Sequence, residues 1–126
     1  MIRYRYATQL RPPAPFVSLT LRNPVTGAEQ RDVPAQLDTA ADRTLLPESV
    51  VLALSLPQIG TIVIGGVGGV TQTMPSYPVQ LAITNLPTQT VEIVASAGES
   101  WVLLGRDVLN AHRLVLDAPQ LFVEIG

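Results

Sequence analysis

The sequence predicts an all-β fold, on three observations. Eleven prolines and nine glycines punctuate 126 residues, about one every six positions. The runs between them are short and rich in Val, Ile, Leu and Thr, residues that suit a pleated, half-buried surface. Phe16–Arg22 (FVSLTLR) alternates apolar and polar side chains, as a strand with one buried face must.

The elements follow in order. After the 16–22 strand, Asn23-Pro24-Val25-Thr26-Gly27 supplies turn chemistry, with Pro fixing φ and Gly free to take positive φ. Residues 32–37 form the return strand of a hairpin. Residues 47–56 are the best helix candidate: Pro47 suits a first helical position, Glu48 favours the N-terminus, and Val50, Val51 and Leu54 share a face. Residues 61–64 read as a strand, Gly65-Gly66-Val67-Gly68-Gly69 as a loose tip, and residues 70–83 as the returning strand of a long hairpin. Pro75 and Pro78 cannot donate ladder hydrogen bonds, so part of that strand is an edge or is kinked. Residues 89–95 and 101–104 are further strands. Residues 106–112 allow one or two helical turns, and 113–117 and 120–125 close the chain.

Length makes residues 1–126 one domain. Hydrophobic residues are 47% and charged residues 14%, against a usual charged share of about 25%. Disorder requires the opposite balance. So apolar a composition also fits a surface partly covered by a partner. No apolar run approaches the roughly 20 residues of a membrane helix, and residues 1–6 (MIRYRY) lack a signal-peptide core, which favours the cytoplasm. The net charge of −2, all its basic residues arginine, suits neither a nucleic-acid binder nor an anionic membrane surface. Zero cysteines exclude disulfides, thiolate nucleophiles and cysteine zinc sites, and one histidine cannot build a histidine-rich metal centre. No metal or cofactor is expected.

Three segments carry possible chemistry. In residues 35–42 (AQLDTAAD) an apolar strand runs into an acid, Asp38, flanked by small residues, as a carboxylate approaching another backbone closely requires. In residues 102–109 (VLLGRDVL) a buried strand meets Gly105 and then Arg106-Asp107. The third is the glycine-rich tip. A phosphate-loop reading of that tip fails, since no Gly-Lys-Ser/Thr follows.

Together, and in this order, the three segments resemble the retropepsin-like aspartic proteases: an apolar strand, Asp-Thr/Ser-Gly-Ala, a glycine-rich flap, then two apolar residues and Gly-Arg-Asp/Asn. The resemblance spans roughly residues 30–125. It implies a small closed barrel of the acid protease type with a flap hairpin and one short C-terminal helix, acting as a homodimeric aspartic endopeptidase. Asp38 of each subunit would meet its copy across the twofold axis. Two carboxylates at close range share a proton and titrate as a unit. One activates a water as general base and the other protonates the substrate carbonyl.

By the same resemblance, Thr39 hydrogen-bonds across the dimer, and Asp42 and Arg106 form an ion pair that supports the site and touches the substrate backbone. Gly65, Gly66, Val67, Gly68 and Gly69 form the flap tip, and the chain termini pair between subunits in a shared sheet. Leu46, Val67 and Val79 would line pockets for apolar side chains of an extended peptide. Ala40 departs from the pattern by replacing the usual Gly. A negative φ there accommodates one methyl, whereas a positive φ would strain the loop. Ala40 therefore keeps open an alternative, a weak or inactive dimeric peptide-binding or assembly module of the same fold. A purely structural β-barrel is a third reading. His112 reads as a surface or helix-terminal imidazole, and Trp101 as core or interface packing.

Overall fold

The computed structural model describes residues 1–126, except for the side chain of Val67. The elements are β1 (Ile2–Arg5), β2 (Phe16–Arg22), β3 (Glu29–Leu37), β4 (Leu45–Pro47), α1 (Glu48–Ala53), β5 (Gly60–Gly65), β6 (Thr71–Ile83), β7 (Gln89–Ser96), β8 (Val102–Leu104), α2 (Arg106–Leu109), β9 (Leu114–Asp117) and β10 (Phe122–Ile125). A single 3-10 turn, Val67–Gly69, joins β5 to β6.

Seven strands lie in the order β2-β3-β8-β4-β7-β6-β5, and β2 also pairs with β6. That extra pairing closes β2, β3, β8, β4, β7 and β6 into a six-stranded barrel. β5 pairs only with β6 and stands outside the closed circuit. The barrel core is Leu, Ile and Val from alternating positions, among them the fully buried Leu19, Leu21, Leu81, Ile83, Ile93 and Leu104. Burying each such side chain contributes roughly 1.5–3 kcal/mol.

β6 passes its partners along its length. Residues 71–76 pair with β5, 76–81 with β7, and 80–83 with β2. Pro75 and Pro78 therefore each lie where the strand is paired on one side only, as a residue without an N–H requires.

The β2–β3 turn does more than reverse the chain. Asn23 is buried, and its Oδ1 accepts hydrogen bonds from the amides of Val25 (2.8 Å) and Thr26 (3.2 Å). Its Nδ2 donates to the carbonyls of Leu54 (2.8 Å) and Ser55 (3.1 Å), satisfying the end of α1. Pro47 is the residue before that helix rather than its first member, and the helix stops at Ala53 because Ser55 takes a φ of 51°.

The strand β4 was not legible in the sequence. It has three residues, too few for a period, and exists through its pairing with β8 and β7. Within one chain the two termini already lie in a common sheet. β1 pairs antiparallel with β10 of the same chain, in the order β1-β10-β9. The β9–β10 hairpin presents β10 beside the N-terminus, and Arg3, opposite Glu124, pairs with it at 3.0 Å while lying over the Phe122 ring at 4.1 Å.

Candidate active site

The ends of β3 and β8 run parallel, Leu37 beside Leu104, so the segments that begin at Asp38 and Gly105 leave the barrel together. Asp38 is half-buried. Its amide donates to the Leu104 carbonyl (2.9 Å), its own carbonyl accepts from the Ala41 amide (3.2 Å), and its Oδ1 accepts from the Ala40 amide (3.1 Å). The carboxylate is thus held by the backbone of its own turn. Ala40 is exposed and is not among the non-glycine residues with positive φ, so its methyl is accommodated without backbone strain.

Arg106 ties this turn to α2. Its amide donates to the Ala41 carbonyl (2.9 Å), its Nη1 donates to the Thr39 carbonyl (2.9 Å), and its Nη2 pairs with Asp42 Oδ1. The structure therefore brings Asp38, Thr39, Ala40, Asp42 and Arg106 together. The Thr39 side chain is exposed.

Beneath the turn lies a polar lock that sequence reasoning missed. Thr44 is 0% exposed. Its Oγ1 accepts from the Gly105 amide (3.1 Å) and donates to Asp107 Oδ1 (2.7 Å), and its amide donates to Asp107 Oδ2 (3.0 Å). Asp107 also accepts from the Val108 amide (2.9 Å). Gly105 is pressed against Arg43: a Cβ there would lie 2.5 Å from the Arg43 carbonyl carbon, 2.7 Å from its oxygen and 2.9 Å from its nitrogen. A glycine before Arg-Asp was visible in the sequence, but nothing in it marked Thr44 as the partner.

The β5–β6 hairpin stands over this turn. A cavity of about 250 Å³ is bounded by Ala40, Ala41, Asp42, Arg43 and Leu45 on one side and Val63, Ile64 and Gly65 on the other. Gly66 donates to the Val70 carbonyl (2.7 Å), and Gly68 and Gly69 take φ of 81° and 77°, which glycine adopts without penalty. The lining expected from sequence needs correcting. Leu46 and Val79 are fully buried in the barrel core. Successive strand residues face opposite sides, so Leu45 rather than Leu46 turns to the cavity. The side chain of Val67 lies outside the described residues.

Trp101 donates from its indole N–H to Gln36 Oε1 (3.0 Å) and packs edge-on to Phe16 with ring centroids 5.4 Å apart. His112 follows α2, with Nε2 3.0 Å from Gln89 Nε2. Among the described residues no three His, Cys, Asp or Glu are grouped to hold a metal ion, and no helix is long and apolar enough to cross a membrane.

The architecture is that of the retropepsin-like aspartic proteases. A retropepsin-like aspartic protease from Rickettsia conorii superposes with a TM-score of 0.65 at 13% identity, covering 97% of this chain and 88% of that one. The EIAV protease, complexed with the inhibitor HBY-793, gives 0.60 at 23% identity, covering 82% and 93%. The retroviral protease-like domain of Ddi1 from Leishmania major gives 0.55 at 11% identity, covering 90% and 88%. No family model matches the chain, and no curated protein matches it by sequence. At these identities the likeness is one of fold.

Proposed function

We propose that the chain is an aspartic endopeptidase in which Asp38 from each subunit of a homodimer activates a water against a peptide carbonyl. One observation carries this reading: a half-buried Asp38, fixed by backbone hydrogen bonds at the end of β3, is braced through Arg106 and Asp42 beneath a glycine-tipped hairpin. One chain offers one such aspartate, so the site is completed by a second copy. The exposed Thr39 and Ala40, and the unpaired outer edge of β9 with exposed Val115 and Leu116, suit such a contact.

In this reading the ionised carboxylate takes a proton from the water as its oxygen attacks the carbonyl carbon. The protonated carboxyl gives its proton to the carbonyl oxygen. Collapse of the tetrahedral intermediate breaks the C–N bond: the departing nitrogen takes a proton from the protonated carboxyl, and a hydroxyl of the intermediate returns one to the ionised carboxylate, which restores the singly protonated pair. The hairpin tip acts as a flap: Gly68 and Gly69, whose Cβ positions meet none of the described residues beyond their chain neighbours, let it change backbone conformation over an extended peptide. The domain comprises residues 1–126.

The test is digestion of a peptide library from acid to neutral pH, read by mass spectrometry, with parent, Asp38→Asn and an aspartic-protease transition-state inhibitor in parallel. Cuts made only by the uninhibited parent are expected, with fold and dimerisation retained in Asp38→Asn. Equal cutting by Asp38→Asn would remove Asp38 from the site, and a strict monomer at micromolar concentration would overturn the reading. Ala40, in place of the family's glycine, favours a second reading: a dimeric peptide-binding module with weak or no catalysis. A confirmed dimer that binds peptides and cuts none is its signature.

A further inference from the structure

We propose that Arg43 is a specificity residue and that the chain prefers extended peptides carrying an acidic side chain, Asp or Glu, next to the reacting bond; this deepens the peptidase reading and rests on it. Arg43 follows Asp42 and is half-buried, its backbone fixed against Gly105. It borders both the cavity under the hairpin and an adjoining one of about 690 Å³ that reaches Glu92 and Asp107.

Three carboxylates border these cavities, and each already has a donor. Asp42 holds Arg106, Asp107 accepts from Thr44 and Val108, and Glu92 accepts from the Ser76 hydroxyl at 3.2 Å. The Arg43 guanidinium, by contrast, makes no ion pair with any described residue. In the smaller cavity the charged residues are Asp42 and Arg43, and Asp42 pairs with Arg106, which leaves Arg43 without an ion-pair partner there. In the adjoining cavity Glu92 and Asp107 are held by neutral donors and keep their charge, so the smaller cavity is the one that favours an acidic side chain. The remaining wall is apolar, from Ala40, Ala41, Leu45, Val63 and Ile64.

A cavity with an apolar wall and one planar fork of donors matches a short aliphatic stem ending in a carboxylate. Partial exclusion from water strengthens that pairing over its worth on an open surface. The purely apolar preference expected from sequence gives way to a mixed one.

The experiment measures binding apart from cleavage. Fluorescein-labelled octapeptides with one reduced peptide bond, differing by Glu, Gln or Lys at each position in turn, are titrated by anisotropy into the parent, Arg43→Ala and Arg43→Gln proteins. The parent is expected to bind Glu over Gln about tenfold at one position, the worth of one charge-assisted pair. Both variants should reduce that ratio to within twofold while melting like the parent, because the contact with Gly105 is made by backbone. The preference should shrink as salt rises. A ratio within twofold at every position in the parent, a preference for Lys, an unchanged ratio in Arg43→Ala, or no binding at all would each overturn the proposal. Cleavage without a Glu preference sinks this inference alone. Arg43-dependent Glu binding without cleavage sinks the peptidase reading alone.

Discussion

Gly105→Ala isolates one contact. The glycine has φ −88° and ψ −179°, values any residue adopts, so alanine meets no backbone strain and only space decides. Its Cβ would stand 2.5 Å from the Arg43 carbonyl carbon. Restoring an ordinary 3.4 Å contact requires the two backbones to part by about 0.9 Å. That movement acts on the bonds that join them, Gly105 amide to Thr44 Oγ1 (3.1 Å) and Arg106 amide to the Ala41 carbonyl (2.9 Å). Overpacking costs roughly 1–3 kcal/mol, and each hydrogen bond lost roughly 1 kcal/mol more. The smaller unfolded-state entropy of alanine returns about 0.4–1 kcal/mol. The expected net loss is about 3 kcal/mol, which for a chain of this length lowers the melting temperature by roughly 12 °C. Circular-dichroism melts at one fixed protein concentration measure it, since the stability of the proposed dimer would depend on concentration. Gly65→Ala is the control, because none of the described residues beyond its chain neighbours lies within 4 Å of its Cβ position and its φ is not positive. Its melting temperature should stay within about 3 °C of the parent's or rise slightly. If Gly105→Ala melts with the control, the close approach to Arg43 is wrong.

Thr44→Val keeps the shape but leaves the buried Gly105 amide without its acceptor and removes a donor from Asp107; a loss of about 2 kcal/mol is expected in denaturant titrations, and a change below about 0.5 kcal/mol would contradict the lock. Asp42→Ala should separate stability from function: the pair is exposed, with side-chain exposures of 85% for Asp42 and 42% for Arg106, so stability falls by less than about 1 kcal/mol. Its kcat/KM on a cleaved peptide should nonetheless fall more than about tenfold, equivalent to about 1.4 kcal/mol of transition-state binding; unchanged kinetics would make the pair a surface feature. Ala40→Gly should cut peptides as well as or better than the parent, at a stability cost of about 0.4–1 kcal/mol from the freer unfolded chain, and a gain in melting temperature would refute the account of its backbone.

The strands could be read because a strand's signal is local. Alternation in residues 16–22 and punctuation by Gly and Pro set the element boundaries within a few residues, and the glycine-tipped hairpin was legible from residues 61 to 83. The order of Asp38, the glycine run and Gly105-Arg106 marked the candidate site, since residue type and order along the chain do not depend on packing. What escaped depends on partners far apart in sequence. Asn23 reaches the end of α1 across 31 residues, and Thr44 reaches Gly105 and Asp107 across 61 and 63. β4 has no periodicity of its own and becomes a strand only between β8 and β7. The choice of Leu45 over Leu46 as cavity wall is one of strand parity, and β4's place in the barrel sets it. The pairing of β1 with β10 inside one chain likewise required the barrel and the β9–β10 hairpin to put the two ends side by side. Sequence by itself determined which residues could form strands, turns and an acid-bearing site, because those are properties of side chains and short segments. Tertiary structure alone decided which backbone groups lock that site and which side chains face its cavity, because burial and hydrogen-bond partners exist only once distant segments meet.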